Sequence, residues 1–186
     1  MRASLALMPF FSMGCSVGDG TGAATGTVSI PACDLEGDFD LEPDFFGGEA
    51  FEDTLSITMQ QGGDYQVKSD GLAIVVPDIR HVDDHLGDPL EVGYEPDATL
   101  PEVRELIRAS LYLNRTCGRR EDGGLVAVSG AVTFSSLGDG RIDEGDVIEG
   151  DFDLDLAEAQ GDEGRAHLVG FFRFRYTRGR PAQRFP

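Results

Sequence analysis

Apolar side chains recur at alternate positions along most of the chain. The pattern is clearest in segments that begin with a glycine and carry apolar residues two and four positions later, at 26–30, 37–41, 130–134, 150–154 and 170–174. The last three begin at a constant interval of twenty residues. A period of two predicts β-strands, because successive side chains of a strand point to opposite faces of the sheet.

The glycine that begins each segment predicts a bend or bulge where the sheet curves. Further alternating or continuous apolar runs predict strands at 55–60, 71–76 and 107–113. In all, about nine or ten short strands with no convincing helix predict an all-β fold. An antiparallel β-sandwich, a jelly roll and a partly closed barrel are all compatible with this pattern.

The C-terminal segments 125–137, 147–156 and 166–178 predict a three-stranded antiparallel meander. Its inner face is predicted to carry Phe134, Phe152, Leu154, Leu156, Phe172, Phe174 and Tyr176. Its outer face is predicted to carry the acids Asp151, Asp153 and Asp155 opposite the bases Arg173 and Arg175. Each such cross-strand pair contributes roughly 0.2–1 kcal/mol, which accounts for the arginines without a ligand.

Two polar stretches interrupt the predicted strands. Residues 43–48 predict a turn with two phenylalanines, and residues 78–101 predict a long acidic loop interrupted by proline and glycine. A loop of that length in a compact domain is either functional or mobile. We therefore expect a partner to contact the loops 78–101 and 138–146, since binding residues concentrate on loops held by a rigid scaffold.

The charge of the chain restricts its partners. Asp and Glu number 34 against 15 Lys and Arg, so the formal net charge is −19 at pH 7. Such a surface repels phosphate backbones, which argues against nucleic acid as a partner. It suits solubility, divalent cations or basic partners, and a solvated acidic surface without a ligand is the default interpretation. Apolar residues make up 40% of the 186 residues, enough for one domain with a core.

The N-terminus resembles a bacterial lipoprotein signal. Arg2 is followed by a mostly apolar run at 3–11, and Gly14-Cys15 matches the lipobox, in which a small residue precedes an obligatory cysteine. Ser12 departs from the leucine usual three residues before that cysteine. The resemblance implies removal of residues 1–14, attachment of diacylglycerol to the Cys15 thiol, and acylation of the new amine.

A lipidated cysteine implies a membrane anchor. Two or three acyl chains hold a protein stably, since each buried CH₂ contributes roughly 0.8 kcal/mol. In the lipoproteins that this signal resembles, a residue other than Asp after the cysteine directs the protein to the outer membrane. With Ser16 at that position, the resemblance implies the outer membrane, facing the periplasm or the cell surface. The composition of 15–25 predicts a flexible tether, followed by a β-domain at 26–180 and a tail at 181–186.

Export would place the remaining cysteines in an oxidising compartment. Cys33 and Cys117 are then the natural disulfide pair. The bond would close a loop of roughly 84 residues. The chain-entropy model assigns such a bridge about 4–5 kcal/mol of stability as an upper figure. Two buried free thiols are the alternative in a reducing cytosol.

The loop after the first strand of the meander resembles the second half of a calcium-binding loop. Asp139, Asp143 and Asp146 are the candidate ligands of a weak calcium site. Ser135 and Leu137 stand where the first half requires carboxylates, so a polar hairpin loop is the alternative.

His81 and His85 are four residues apart with carboxylates between them, a spacing that holds zinc when it lies on a helix. Pro77 and Gly87 flank the pair and predict a loop instead, and the sequence identifies no third ligand. Exposed loop histidines are therefore the expected outcome.

Alternating acids at 149–153 and again at 36–40 invite comparison with jelly-roll glycoside hydrolases, which place two carboxylates at alternate strand positions. Both copies are equally good, as expected for architecture, and the chain has no Trp for stacking sugars. The sequence also has no G-x-S-x-G elbow, P-loop or dinucleotide motif.

These patterns together predict a non-enzymatic bacterial lipoprotein. Cys15 would tether an acidic, disulfide-linked β-domain with a structural or recognition role at the cell envelope, where an envelope protein or a glycan is its expected partner. A calcium- or glycan-binding module is the second reading, and a hydrolase is the third. No cofactor is expected apart from the calcium considered above.

Overall fold

The computed structural model describes residues 18–62, 67–94, 106–118, 124–159 and 163–177. Ten strands lie within these residues: β1 Gly20–Ile30, β2 Leu35–Leu41, β3 Phe45–Phe51, β4 Thr54–Gln60, β5 Asp70–Val76, β6 Pro89–Glu91, β7 Arg108–Leu113, β8 Gly124–Ser136, β9 Val147–Glu158 and β10 Arg165–Arg175. A 3-10 turn spans Pro31–Cys33, and one short helix, α1, spans Ile79–Asp83.

The ten strands form a single antiparallel sheet that curls into a half-barrel. Their order is β2-β1-β10-β9-β8-β7-β5-β4-β3, and the short β6 pairs with β8. Strand β3, at one end of the sheet, approaches the start of β1, which is next to the other end: the Phe46 N–H donates to Gly18 O at 2.9 Å. The predicted all-β antiparallel fold is confirmed, and among the three architectures the chain adopts the partly closed barrel.

The predicted meander is confirmed as β8, β9 and β10, which pair in sequence order. The whole predicted inner face is buried: Phe134, Phe152, Leu154, Leu156, Phe172, Phe174 and Tyr176. Within it the rings of Phe134 and Phe172 meet edge to face, with centroids 5.8 Å apart. This side of the curled sheet therefore contributes a large part of the hydrophobic core.

Glycines of the repeated pattern leave space for phenylalanine rings on the neighbouring strands. Gly150 lies opposite Phe134 on one side and Phe172 on the other, and Gly170 lies opposite Phe152. A Cβ on Gly150 would stand 3.0 Å from Phe172 Cζ. A Cβ on Gly150 would come still closer to Thr133 O, at 2.6 Å, and one on Gly170 would meet Ala23 O before the Phe152 ring. Backbone and ring contacts together therefore require glycine at these positions of β9 and β10.

The predicted bulge occurs in β8. The register between β8 and β9 shifts between Ala127 and Ser129, immediately before Gly130. Gly130 has a φ of 123°, a backbone conformation that favours glycine. At this strand the glycine does mark the irregularity that the sequence predicted.

Strand β1 begins earlier than the composition predicts. The stretch 15–25 was predicted to be a flexible tether, but from Gly20 onward it pairs with β10, so that prediction is wrong for residues 20–25. Gly20 and Gly22 lie under the ring of Phe46. A Cβ on Gly20 would stand 2.6 Å from the nearest atom of that ring, and a Cβ on Gly22 would stand 2.8 Å from it. The apolar side chain that orders this segment belongs to β3.

Two segments predicted as irregular contain regular structure. Residues 45–48 begin strand β3, so the predicted turn at 43–48 is wrong there. The predicted loop 78–101 contains helix α1, whose N-cap Asp78 accepts hydrogen bonds from two backbone N–H groups, and then strand β6. The last seven residues of that predicted loop, 95–101, lie outside the described residues.

Candidate functional site

The predicted disulfide between Cys33 and Cys117 is present, with the two Cα atoms 5.4 Å apart. Cys33 ends the 3-10 turn after β1, and Cys117 lies in the turn after β7. Three strands, β10, β9 and β8, lie between β1 and β7 in the sheet. The bond therefore links the ends of two strands, β1 and β7, that are far apart in the order of the curled sheet.

A buried carboxylate supports the turn that carries Cys117. Asp70 is 2% exposed, and its Oδ1 accepts hydrogen bonds from the N–H groups of Arg115 and Thr116 at 2.8 and 3.0 Å. The Thr116 hydroxyl donates to Asp70 Oδ2, and Arg115 Nε lies 3.7 Å from the same oxygen. Asp70 thus acts as the cap of a turn, and its hydrogen bonds are made within the fold.

Gln60 and Tyr112 extend this buried polar cluster across the strands beside β5. The Tyr112 O–H donates to Gln60 Oε1 at 3.2 Å, and Gln60 Nε2 donates to Gly62 O at 2.7 Å. Burial, and secondarily the charge of Asp70, raises the pKa of Tyr112. The cluster is not apparent in the sequence, because Gln60 and Tyr112 occupy the polar positions of alternating patterns, where exposure is expected.

We expect the free energy of unfolding to fall as the pH rises above about 10. The pKa of Tyr112 is raised in the folded protein above its ordinary 10.0, so only the unfolded chain releases this proton at that pH. Stability is therefore intact below about pH 10 and is lost above it, by roughly 1.4 kcal/mol per pH unit. Urea titrations between about pH 8.5 and 11 measure the slope.

Tyr112→Phe should remove that alkaline slope, since phenylalanine cannot ionise. Tyr94→Phe is the matched control, because Tyr94 is 45% exposed and the variant keeps Tyr112. Both variants should carry Cys15→Ser to prevent thiol exchange at high pH. A Tyr112→Phe protein with the same slope as its parent would contradict the assignment.

The three acids predicted to bind calcium lie in the loop between β8 and β9. Asp146 Oδ2 accepts a hydrogen bond from the Asp143 N–H at 2.8 Å, and Asp143 pairs with Arg141 Nε at 3.0 Å. Asp139 is exposed. Among the residues that the structure describes, no three His, Cys, Asp or Glu side chains are grouped to hold a metal. Calcium binding here stays a prediction.

His81 and His85 lie side by side, with ring centroids 4.5 Å apart. The predicted loop around them is wrong at His81, which lies in α1, and the helical turn brings the two rings together. His85 Nδ1 is 2.7 Å from His81 O, so this nitrogen is engaged by the backbone. The pair has the spacing of two zinc ligands. Within the part of the chain that the structure describes, no third His, Cys, Asp or Glu side chain joins them in a group that could hold a metal.

The register of β9 and β10 differs from the predicted ladder of charges. Arg173 lies opposite Glu149, and its Nη1 donates to the Glu149 carboxylate at 2.6 Å. Arg175 lies opposite Val147 and donates to Gly145 O at 3.0 Å. The prediction that these arginines face the three aspartates of β9 is therefore wrong.

One of those aspartates lies in a row of polar side chains on the outer face. His167 Nδ1 is 3.0 Å from Asp155 Oδ1 and 3.7 Å from Asp153 Oδ1, while Ser129 Oγ donates to Asp155 Oδ2 at 3.1 Å. A serine hydrolase needs the histidine between serine and aspartate. Here the aspartate is in the middle, so the row does not provide an activated nucleophile.

This row borders a groove of about 560 Å³ on the outside of the sheet, lined also by Thr27, Glu36 and Arg165. The two sets of alternating acids lie on β9 and on β2, with β10 and β1 between them. Three strand spacings amount to about 14 Å. Paired glycosidase carboxyls lie roughly 5–10 Å apart, so the two sets do not combine into such a pair.

Cys15, the predicted lipidation site, lies outside the described residues. Within the described ranges, no helix has the length and apolar character that crossing a bilayer requires. No known protein family, curated protein or solved structure matches the chain.

Proposed function

We propose that this protein is a bacterial lipoprotein held at the outer membrane by a diacylglyceryl group on Cys15. Its acidic β-domain would serve a non-enzymatic structural or recognition role at the cell envelope. The observation that carries the proposal is the Cys33–Cys117 disulfide. Disulfides persist in the periplasm and at cell surfaces and are rare in the cytosol, so the bond supports export.

The N-terminal sequence supports export independently. An apolar run at 3–11 leads into Gly14-Cys15, as in a lipoprotein signal. A secreted protein without lipid would share the disulfide and would lack the acyl chains. The state of Cys15 is therefore the property that separates the two.

The chemistry of the described polar groups favours recognition over catalysis. Asp70, on β5, is occupied by hydrogen bonds to the turn of Arg115 and Thr116. The aspartate in the row of Ser129 and His167 stands in the wrong place for a triad. The acids of β2 and β9 instead give the outer face a strong negative charge. A charged surface on a rigid scaffold suits binding of a complementary partner.

Mass spectrometry of the protein extracted from bacterial membranes tests the anchor. We expect a chain that begins at Cys15 and carries a diacylglyceryl group and an amide-linked acyl chain. Cys15→Ser should abolish the added mass. In detergent phase partitioning, it should also move the protein from the detergent-rich phase to the aqueous phase. Cys33→Ser, the matched cysteine control, should keep both. An unmodified Cys15 in the mature protein would overturn the proposal.

A further inference from the structure

We propose that the outer face of β2, β1, β10 and β9 binds a cationic, amphipathic helix of a partner polypeptide. The inference rests on the recognition role proposed above and names the class of partner. Three features carry it: an exposed apolar strip on β10, an acidic stripe on either side of it, and the width between the two stripes.

The apolar strip consists of Val169 and Phe171, which are 40% and 49% exposed. Both point outward from β10, whose alternate residues are buried in the core. Strand β10 is flanked on both sides by paired strands, so these side chains lie in the interior of the sheet surface and not at its edge. Val169 and Phe171 are two residues apart on the same face, so they form one contiguous apolar patch rimmed by charged side chains instead of two scattered groups.

Acidic stripes border this strip on both sides. On one side is β9, with exposed Asp151, Asp153 and Asp155, and on the other, beyond β1, is β2, with exposed Glu36, Asp38 and Asp40. In the described register Asp151 lies opposite Phe171 and Asp40 lies opposite Thr25. Neither of these acids therefore faces a basic residue across the strands described.

The width of the face fits a helix. The stripes on β9 and β2 are three strand spacings apart, about 14 Å. An α-helix with its side chains is about 10–12 Å across. A helix lying along β10 would place an apolar edge on Val169 and Phe171 and its lysines or arginines over the acids on both flanks. The intervening Ala23, Thr25 and Thr27 of β1 are small enough to leave it room.

Charge excludes the other obvious occupants. A second copy of the chain would bring the same acidic stripes together, and its net charge of −19 opposes that contact. Anionic lipid and nucleic acid are repelled for the same reason. The outer face of β2, β1, β10 and β9 carries seven acids, on β2 and β9, against three arginines on β10, Arg165, Arg173 and Arg175. A cationic polypeptide is therefore favoured electrostatically, and its apolar edge can also cover Phe171.

The full chain with Cys15→Ser, which removes the lipid site, can be titrated with a synthetic helical peptide of about four turns. The peptide should carry leucines along one face and lysines or arginines on its flanks. We expect saturable one-to-one binding that weakens with salt. A scrambled peptide of the same composition should bind about tenfold more weakly or worse, because it lacks the apolar stripe. Equal binding of the two peptides would overturn the proposal.

Phe171→Ser should weaken binding of the helical peptide by about tenfold or more, as loss of a central aromatic anchor does. Phe51→Ser is the matched control, because Phe51 is 72% exposed and ends β3, outside the proposed face. Its affinity should stay within about twofold of the parent. An unchanged affinity in Phe171→Ser would also overturn the proposal.

Charge-neutralising variants separate a docking site from general electrostatic attraction. The test triple is Asp38→Asn, Asp40→Asn and Asp151→Asn. The control triple, at exposed acids elsewhere, is Glu52→Gln, Asp84→Asn and Glu144→Gln. We expect the test triple alone to lower affinity by about tenfold and to flatten the salt dependence. Equal losses of affinity in both triples would show that net charge alone drives binding, and would refute the site.

The two proposals fail separately. If the helical peptide does not bind while Cys15 carries lipid, the docking face is wrong and the anchor stands. If the peptide binds as described while Cys15 is unmodified, the anchor is wrong and the docking face stands.

Discussion

Replacing Cys33 and Cys117 together by alanine should lower the free energy of unfolding by about 4 kcal/mol. The disulfide closes a sequence separation of 84 residues, and its loss releases that loop in the unfolded chain. The native state would also lose the direct link between β1 and β7. Circular dichroism during guanidinium denaturation measures the change and suits a chain without Trp.

Cys15→Ser serves as the cysteine control and should leave the unfolding midpoint unchanged. Reducing the Cys15→Ser protein with dithiothreitol should reproduce the loss seen in the double alanine variant. A loss below about 1 kcal/mol in both experiments would show that the fold does not depend on the bridge.

Gly170→Ala should cost about 3 kcal/mol, near the upper end of the overpacking range. A Cβ at this position would come well within 3 Å of both Ala23 O and the Phe152 ring. Because β10 is paired with β1 on one side and β9 on the other, the backbone cannot shift away without breaking a ladder. Equilibrium denaturation in urea measures the loss.

Gly124→Ala is the matched control, since Gly124 is the first residue of β8 and a Cβ there would meet Leu111 O at an ordinary 3.5 Å. Its free energy of unfolding should stay within about 0.5 kcal/mol of the parent. Equal losses at the two positions would mean that the cost comes from removing any strand glycine and not from the contacts with Ala23 O and the Phe152 ring.

The strands of the meander were predictable because each has one face in the core and the other in water. Under that condition the alternation of apolar and polar residues is written directly in the sequence. The burial of Phe152, Leu154 and Leu156 on β9 follows from it. Gly20 and Gly22 were not predictable as strand residues, since a glycine carries no side chain to alternate and the ring that covers them comes from β3.

The alternation of apolar and polar residues does not predict the register between the strands of the meander. A slip of two residues keeps every side chain on its predicted face and changes every partner across the strands. Arg173 therefore stays on the predicted outer face but pairs with Glu149 instead of an aspartate of β9. The buried cluster of Asp70 and Tyr112 was hidden for a related reason, because its members come from separate strands.

By itself the sequence determined the all-β class, the residues of the inner face of the meander and, given export, the pair of cysteines that bond. Only the tertiary structure decided that the strands join one curled sheet and that β10 lies between β1 and β9. It is this order that sets an exposed phenylalanine between two acidic stripes. Local alternation records which side of a strand meets water, whereas the neighbours of a strand are chosen by pairing between residues far apart in the chain.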